Sequence, residues 1–247
     1  MDRFLYVAMT GASETLRRQA SNNHNLANAS TTGFREDLAS FMTREVGGDG
    51  YASRAYATAG PVGWNSEEGA VQSTGRDLDV ALNGDGWLTV QGPDGREAYT
   101  RAGNLRVNTE GLLETGNGQV VLGDGGPIAV PEYNSLQIAV DGTVSIVPRG
   151  QGPETVASLG RIKLVNPAAG EIAKGPDGLF RMRDGTDAVA DAGVRLTQGA
   201  LESSNVNVAD ALVTMIELSR RFDMEVKAMR AAEDNGAASS QLLRIQS

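Results

Sequence analysis

Two stretches at opposite ends of the chain share one spacing of apolar residues, and that spacing constrains the fold more than any other feature. In "VADALVTMIELSRRFDMEVKAM" the positions Val208, Leu212, Met215, Ser219, Phe222, Val226 and Met229 recur at alternating steps of four and three. From about Arg3 to Ala27 the positions Leu5, Met9, Ala12, Leu16, Gln19, Asn23 and Leu26 do the same. Such steps run along one face of an α-helix and, repeated, form a coiled-coil seam. Each segment spans about 25 residues, roughly 37 Å of helix, and matched lengths predict that the two pair with each other. Gln19 and Asn23 put polar groups on the seam, which lowers stability and can set register.

The first helix is expected to end before "STTGF", where Gly33 stops it. The last is expected to start at a cap supplied by Asn205 or Asn207 and to fray near "EDNGAASS". Val213, Ile216, Leu218 and Met224 are apolar but lie off the seam. A helix apolar on several sides needs more than one neighbour.

Between the helices the period changes. "DVAL", "GWLTVQ", "EAYTR", "QVVLG", "LQIAV", "TVSIV", "RIKLV" and "GLFRM" are short strand-like runs. Turn signals such as Asp94-Gly95, Asn117-Gly118, Asp141-Gly142 and Asp177-Gly178 separate them, as in a series of hairpins. The expected fold is α+β: a mainly antiparallel β central domain flanked by N- and C-terminal α-helices that form a coiled coil. Its expected divisions are residues 1–34 for the N-terminal helix, 35–75 for an extended connector, 76–197 for the β domain and 198–247 for the C-terminal helix.

Composition narrows the function classes. A formal net charge of -9 repels phosphate backbones, so neither nucleic acid nor an anionic membrane surface is an expected partner. With no cysteine, disulfides, thiolate metal sites and thiol catalysis are excluded. The opening "FLYVAM" is too short for a signal-peptide core, and charged residues follow at once; export without a cleavable signal and without direct membrane insertion is expected. His24, the lone histidine, lies in the polar half of the first helix, which suits a solvated or interface residue better than a triad base. The stretch Asp77 to Gly86 lacks the fifth-position ligand of a calcium loop, since Ala81 stands there. Adjacent Glu67 and Glu68 lie in a polar stretch, as solvated carboxylates do. No catalytic residue, metal site or cofactor is expected.

Three blocks carry a resemblance. "HNLANASTTGFRED" contains Asn25, Leu26, Ala27, Asn28, Thr31, Gly33 and Phe34 in the pattern N-(L/I)-A-N-x-x-T-x-G-F. "TGRDLDVALNGDGWLTVQGPDGREAYTRAGNL" follows TGxxLDxAIxGxGFF and YTRxGxF, with Leu82, Trp87, Leu88 and Leu105 keeping apolar the positions where Ile or Phe is usual. "LTQGALESSNVNVADALVTMIELSRRF" resembles a GxLExSNVxxxxExxxMIxxxRxF block, although Asp210 and Leu212 stand where Glu and Met are usual. In this order, and covering most of the chain, they resemble the flagellar axial proteins, the family of rod, hook and hook-junction subunits.

The resemblance implies terminal helices that form the inner coiled coil of a tube, joined to an outer β domain. It implies export by the flagellar type III apparatus, assembly in the periplasmic rod, and partnership with further copies and with other proximal-rod and distal-rod subunits. The opening and the length resemble the proximal-rod branch most. The alternatives are a distal-rod protein, a secreted β-rich carbohydrate-binding module and a periplasmic chaperone for rod subunits. The expected assembly interface is Leu5, Met9, Ala12, Leu16, Leu26, Leu212, Met215, Ile216, Phe222, Val226 and Met229. Alone, helices with polar seam residues are marginal. Phe222→Asp is therefore expected to abolish swimming in soft agar while leaving the β domain folded by circular dichroism.

Overall fold

A computed structural model describes residues 2–39, 41–45, 55–59, 63–152 and 154–245 of the chain. They divide into two compact units, one holding both terminal helices and residues 37–64, the other residues 28–36 and 65–205.

In the helical unit, α1 spans Asp2–Ala27 and α2 spans Val208–Ile245. Asn207 caps α2: its Oδ1 accepts the backbone N–H groups of Ala209 at 3.0 Å and Asp210 at 3.4 Å, satisfying donors that have no partner inside the helix. Asp210 adds a carboxylate to the positive end of the helix dipole. Contrary to the fraying expected near "EDNGAASS", α2 continues through it and reaches 38 residues against 26 for α1. Ala231, Ala232, Ala237 and Ala238 are strong helix formers and offset the single Gly236. α1 ends well before Gly33. Asn28 stops it, accepting the Thr31 N–H on its carbonyl at 3.0 Å and the Thr31 hydroxyl on its side chain at 3.1 Å.

The stretch read as an extended connector contains two antiparallel pairings. Asp37–Leu38 pairs with Gly63–Trp64, and Phe41–Glu45 with Ala55–Ala59. Within that stretch residues 40, 46–54 and 60–62 lie outside the described residues.

The β unit is built from antiparallel pairings among the described residues. Its five-stranded sheet runs in the order Leu164–Val165, Trp87–Gln91, Glu97–Thr100, Phe180–Met182, Ile172–Lys174. A three-stranded meander follows as Tyr133–Ile138, Thr143–Pro148 and Ala157–Arg161. Its first turn shows the Asp-Gly device at work: Asp141 accepts the Thr143 N–H at 3.0 Å, and Gly142 takes the left-handed conformation at φ 88°. Smaller pairs join Val80–Asn83 to Arg195–Gln198 and Val71–Ser73 to Ala200–Glu202.

One apolar cluster joins these sheets, and Leu88, Val90, Ala98, Leu105, Leu113, Val121, Val144 and Ile162 within it are wholly buried. Beside it the Trp87 and Phe180 rings lie 4.3 Å apart. Leu88→Ala removes a fully enclosed side chain and is expected to cost about 2–5 kcal/mol. Urea unfolding followed by Trp87 fluorescence, in a Trp64→Phe background, measures it.

Candidate assembly site

Helices α1 and α2 pack against each other as an antiparallel pair. Asn22 donates its amide to the Ala211 carbonyl at 2.8 Å, while nearer the start of α1 Thr15 donates its hydroxyl to Glu225 at 3.2 Å. The inward face of α2 reads Ala211, Met215, Leu218, Phe222, Glu225, Met229, Ala232, again at steps of four and three, all buried or half-buried. The inward face of α1 reads Ala8, Ala12, Thr15, Gln19, Asn22, Leu26.

Each face is turned by one position from the seam expected on apolarity alone. The expected and observed faces share Met215, Phe222 and Met229 on α2, and Ala12, Gln19 and Leu26 on α1. Val226 is half-buried beside them. Leu5, Met9, Leu16 and Leu212, expected to meet across the pair, are instead 38–52% exposed, and Ile216 is 55% exposed. Of the apolar residues lying off the expected seam, Leu218 is buried, whereas Val213 and Met224 are exposed. On α1 the pair is closed by small and polar residues with Leu26, and on α2 by Met215, Leu218, Phe222 and Met229 beside Ala211 and Glu225. Most of the large apolar side chains described in the two helices remain on the outside.

The motif block that spans the end of α1 has a structural task at most of its positions. Buried Asn25 donates to the Asp37 carbonyl at 2.9 Å and accepts the Asp37 N–H at 2.8 Å. His24 Nδ1 lies 2.7 Å from the Asp37 carboxylate. Leu26 is half-buried and Ala27 exposed. Gly33 sits at φ 65°, and a Cβ there would run into the Arg101 backbone, so glycine is required twice over. Phe34 is buried beneath the Lys174 ammonium, 3.8 Å from its ring.

Beside Phe34, inside the β unit, lies a feature that sequence reasoning missed. The Glu202 carboxylate, 1% exposed, is held between two buried guanidiniums. Arg35 Nη2 reaches Oε1 at 2.9 Å and Arg101 Nε reaches Oε2 at 2.6 Å; the Gly69 N–H also donates to Oε1, at 2.9 Å. Arg101 also donates to the carbonyls of Gly84 at 3.0 Å and Gly86 at 3.2 Å, and Arg35 donates to the Glu67 carbonyl. Burial pushes the Arg35 guanidinium below its ordinary value, and Glu202 opposes that shift.

Alongside, Asn205 accepts the Glu36 N–H at 2.7 Å and donates to the carbonyls of Asn65 at 3.1 Å and Glu67 at 2.9 Å. Arg35, Arg101 and Glu202 thus come one from each of the three motif blocks. Among the described residues no cluster of His, Asp and Glu is disposed to hold a metal, and no helix is long and apolar enough to cross a membrane.

Residues 81–146 match the family model of the flagellar hook protein FlgE/F/G D1 domain. Residues 197–242 match that of the flagellar basal body rod FlgEFG protein C-terminal. The flagellar basal-body rod protein FlgF of Salmonella typhimurium is 44% identical over 251 residues, covering 99% of this chain and 100% of its own length. That of Escherichia coli is equally similar, at 44% with the same coverage. The rod protein FlgG of Bacillus subtilis is 32% identical over 260 residues, covering 95% of this chain and 96% of its own.

The chain belongs to the flagellar basal-body rod proteins. In this rod protein, a structural component of the basal-body rod, the buried carboxylate ties together segments from separate parts of the β unit. Removing one member of a buried ionic group strands the others without compensation. Glu202→Ala is therefore expected to cost about 3–5 kcal/mol, read as a lowered urea midpoint of the β unit.

Proposed function

We propose that this rod protein belongs to the proximal rod, where it assembles with further copies, with other proximal-rod subunits and with the distal-rod protein. The resulting tube is the drive shaft that carries motor torque to hook and filament. One observation carries the reading: the paired helices leave Leu5, Met9, Leu16, Leu212 and Ile216 uncovered. Full burial of one such side chain is worth roughly 1.5–3 kcal/mol, offset by the entropy of ordering it. Neighbouring helices of like chains have the matching chemistry to cover them, and in the tube α1 and α2 form its inner coiled coil.

The proximal assignment is supported by 44% identity to FlgF relatives along the whole chain, against 32% to the FlgG relative of Bacillus subtilis. The distal-rod reading is the alternative, and that FlgG likeness is what favours it. The role is structural, with no catalytic residue and no cofactor. The subunit reaches the periplasm through the flagellar type III export apparatus, without a cleavable signal. Basal bodies purified from a strain carrying an epitope-labelled copy should bind the antibody at the proximal rod; label confined to the distal rod, or absent, would overturn the proposal.

Before assembly the helix pair has little to hold it, since its buried apolar side chains are Ala12, Ala211 and Leu218 among the described residues. A weak pair suits a chain that must pass unfolded through a narrow channel and must not polymerise early. In the free subunit, amides of residues 208–229 are expected to exchange at least about a hundredfold faster than those of strand Trp87–Gln91. Hydrogen–deuterium exchange with mass spectrometry measures this; equal protection would show that the helices are complete alone.

A further inference from the structure

One position on the inward face of α2 breaks its apolar pattern, and α1 is shaped to receive it. Glu225 stands where the four-and-three spacing calls for a hydrophobe, between Phe222 and Met229. Its side chain is only 16% exposed. Opposite it α1 has Gly11, where a Cβ would come 3.0 Å from Glu225 Oε1. One turn further along α1, Thr15 donates its hydroxyl to that same oxygen at 3.2 Å; on α2 itself Arg221 Nε lies 3.4 Å away. The second oxygen, Oε2, is buried with no hydrogen-bond partner among the described residues.

A buried carboxylate oxygen without a donor costs stability, so the position is not there for strength. A polar group in a helix seam instead makes every other alignment worse, because only one alignment provides its notch and its donor. We infer that Glu225, seated against Gly11 and Thr15, is the residue that sets the register of α1 on α2 within each subunit. The inference rests on the rod reading for its purpose: a shaft built of many copies tolerates one helix alignment only. Slippage by a turn would displace the exposed apolar residues of α1 by about 5 Å relative to those of α2.

The chain has no cysteine, so introduced thiols report without interference. A cysteine replacing Gln19 is paired in turn with one replacing Leu212, Ile216, Arg220 or Asp223. Bismaleimide linking is then mapped in basal bodies and in the purified subunit. The parent is expected to show one linking maximum along α2, and Glu225→Gln to keep it, since the amide oxygen still accepts from Thr15. Glu225→Leu is expected to split the maximum or move it by about one helical turn with helix content unchanged or raised. An unchanged map in Glu225→Leu would overturn the inference, as would loss of helix in that variant, which would make Glu225 a stabilising residue. Absence of the parent chain from basal bodies would instead count against the rod reading, and the map of the purified subunit would still decide the register.

Discussion

One buried carboxylate between two guanidiniums ties distant parts of the β unit together. Glu202 brings together Arg35, from the segment after the first helix, and Arg101, which follows strand Glu97–Thr100. Isolated, each of these charges would be costly to desolvate; together, with carbonyls and an N–H taking up several of the remaining sites, they compensate one another. The same contact region aligns two backbones. Gly33 donates to the Glu202 carbonyl at 2.8 Å and Asn205 to the Phe34 carbonyl at 3.3 Å, so the segment leaving α1 and the segment entering α2 run hydrogen-bonded side by side. A chain that exits one helix and enters the other at adjacent points is set up for an antiparallel pair. The Asn22 to Ala211 bond records that arrangement in the helical unit.

Much of this was legible in the residues. Helices at both ends, hairpins between them and the Asp-Gly turns follow from periodicity and turn chemistry. The motif positions Asn25, Asn28, Thr31, Gly33 and Phe34 all have local tasks. The misplaced feature is the helix seam, and its reason is physical. Periodicity finds where apolar residues line up, but a helix with two apolar faces offers two seams. Close packing chose the face carrying Ala211 opposite a helix with Gly11 and Ala12, since small residues let backbones approach. The larger side chains Leu5, Met9, Leu16, Leu212 and Ile216 were left exposed.

Other features were illegible for different reasons. Arg35, Arg101 and Glu202 look like surface charges in a sequence, because nothing local tells a solvated arginine from one that meets its acid across the fold. Strands such as Val71–Ser73 and Ala200–Glu202 are three residues long, too short to show alternation. They pair with Glu202 opposite Val71, a long-range register that no local pattern announces. The pairings within residues 37–64 went unseen because Gly and polar residues dominate that stretch, while backbone hydrogen bonds need no apolar pattern.

The unequal lengths of α1 and α2 have a geometric corollary. With Gly11 lying against Glu225, the start of α1 falls opposite a point near Asp234, and α2 runs on to Ile245. A terminal stretch of about 11 residues, roughly 16 Å, therefore lies beyond the reach of its own partner.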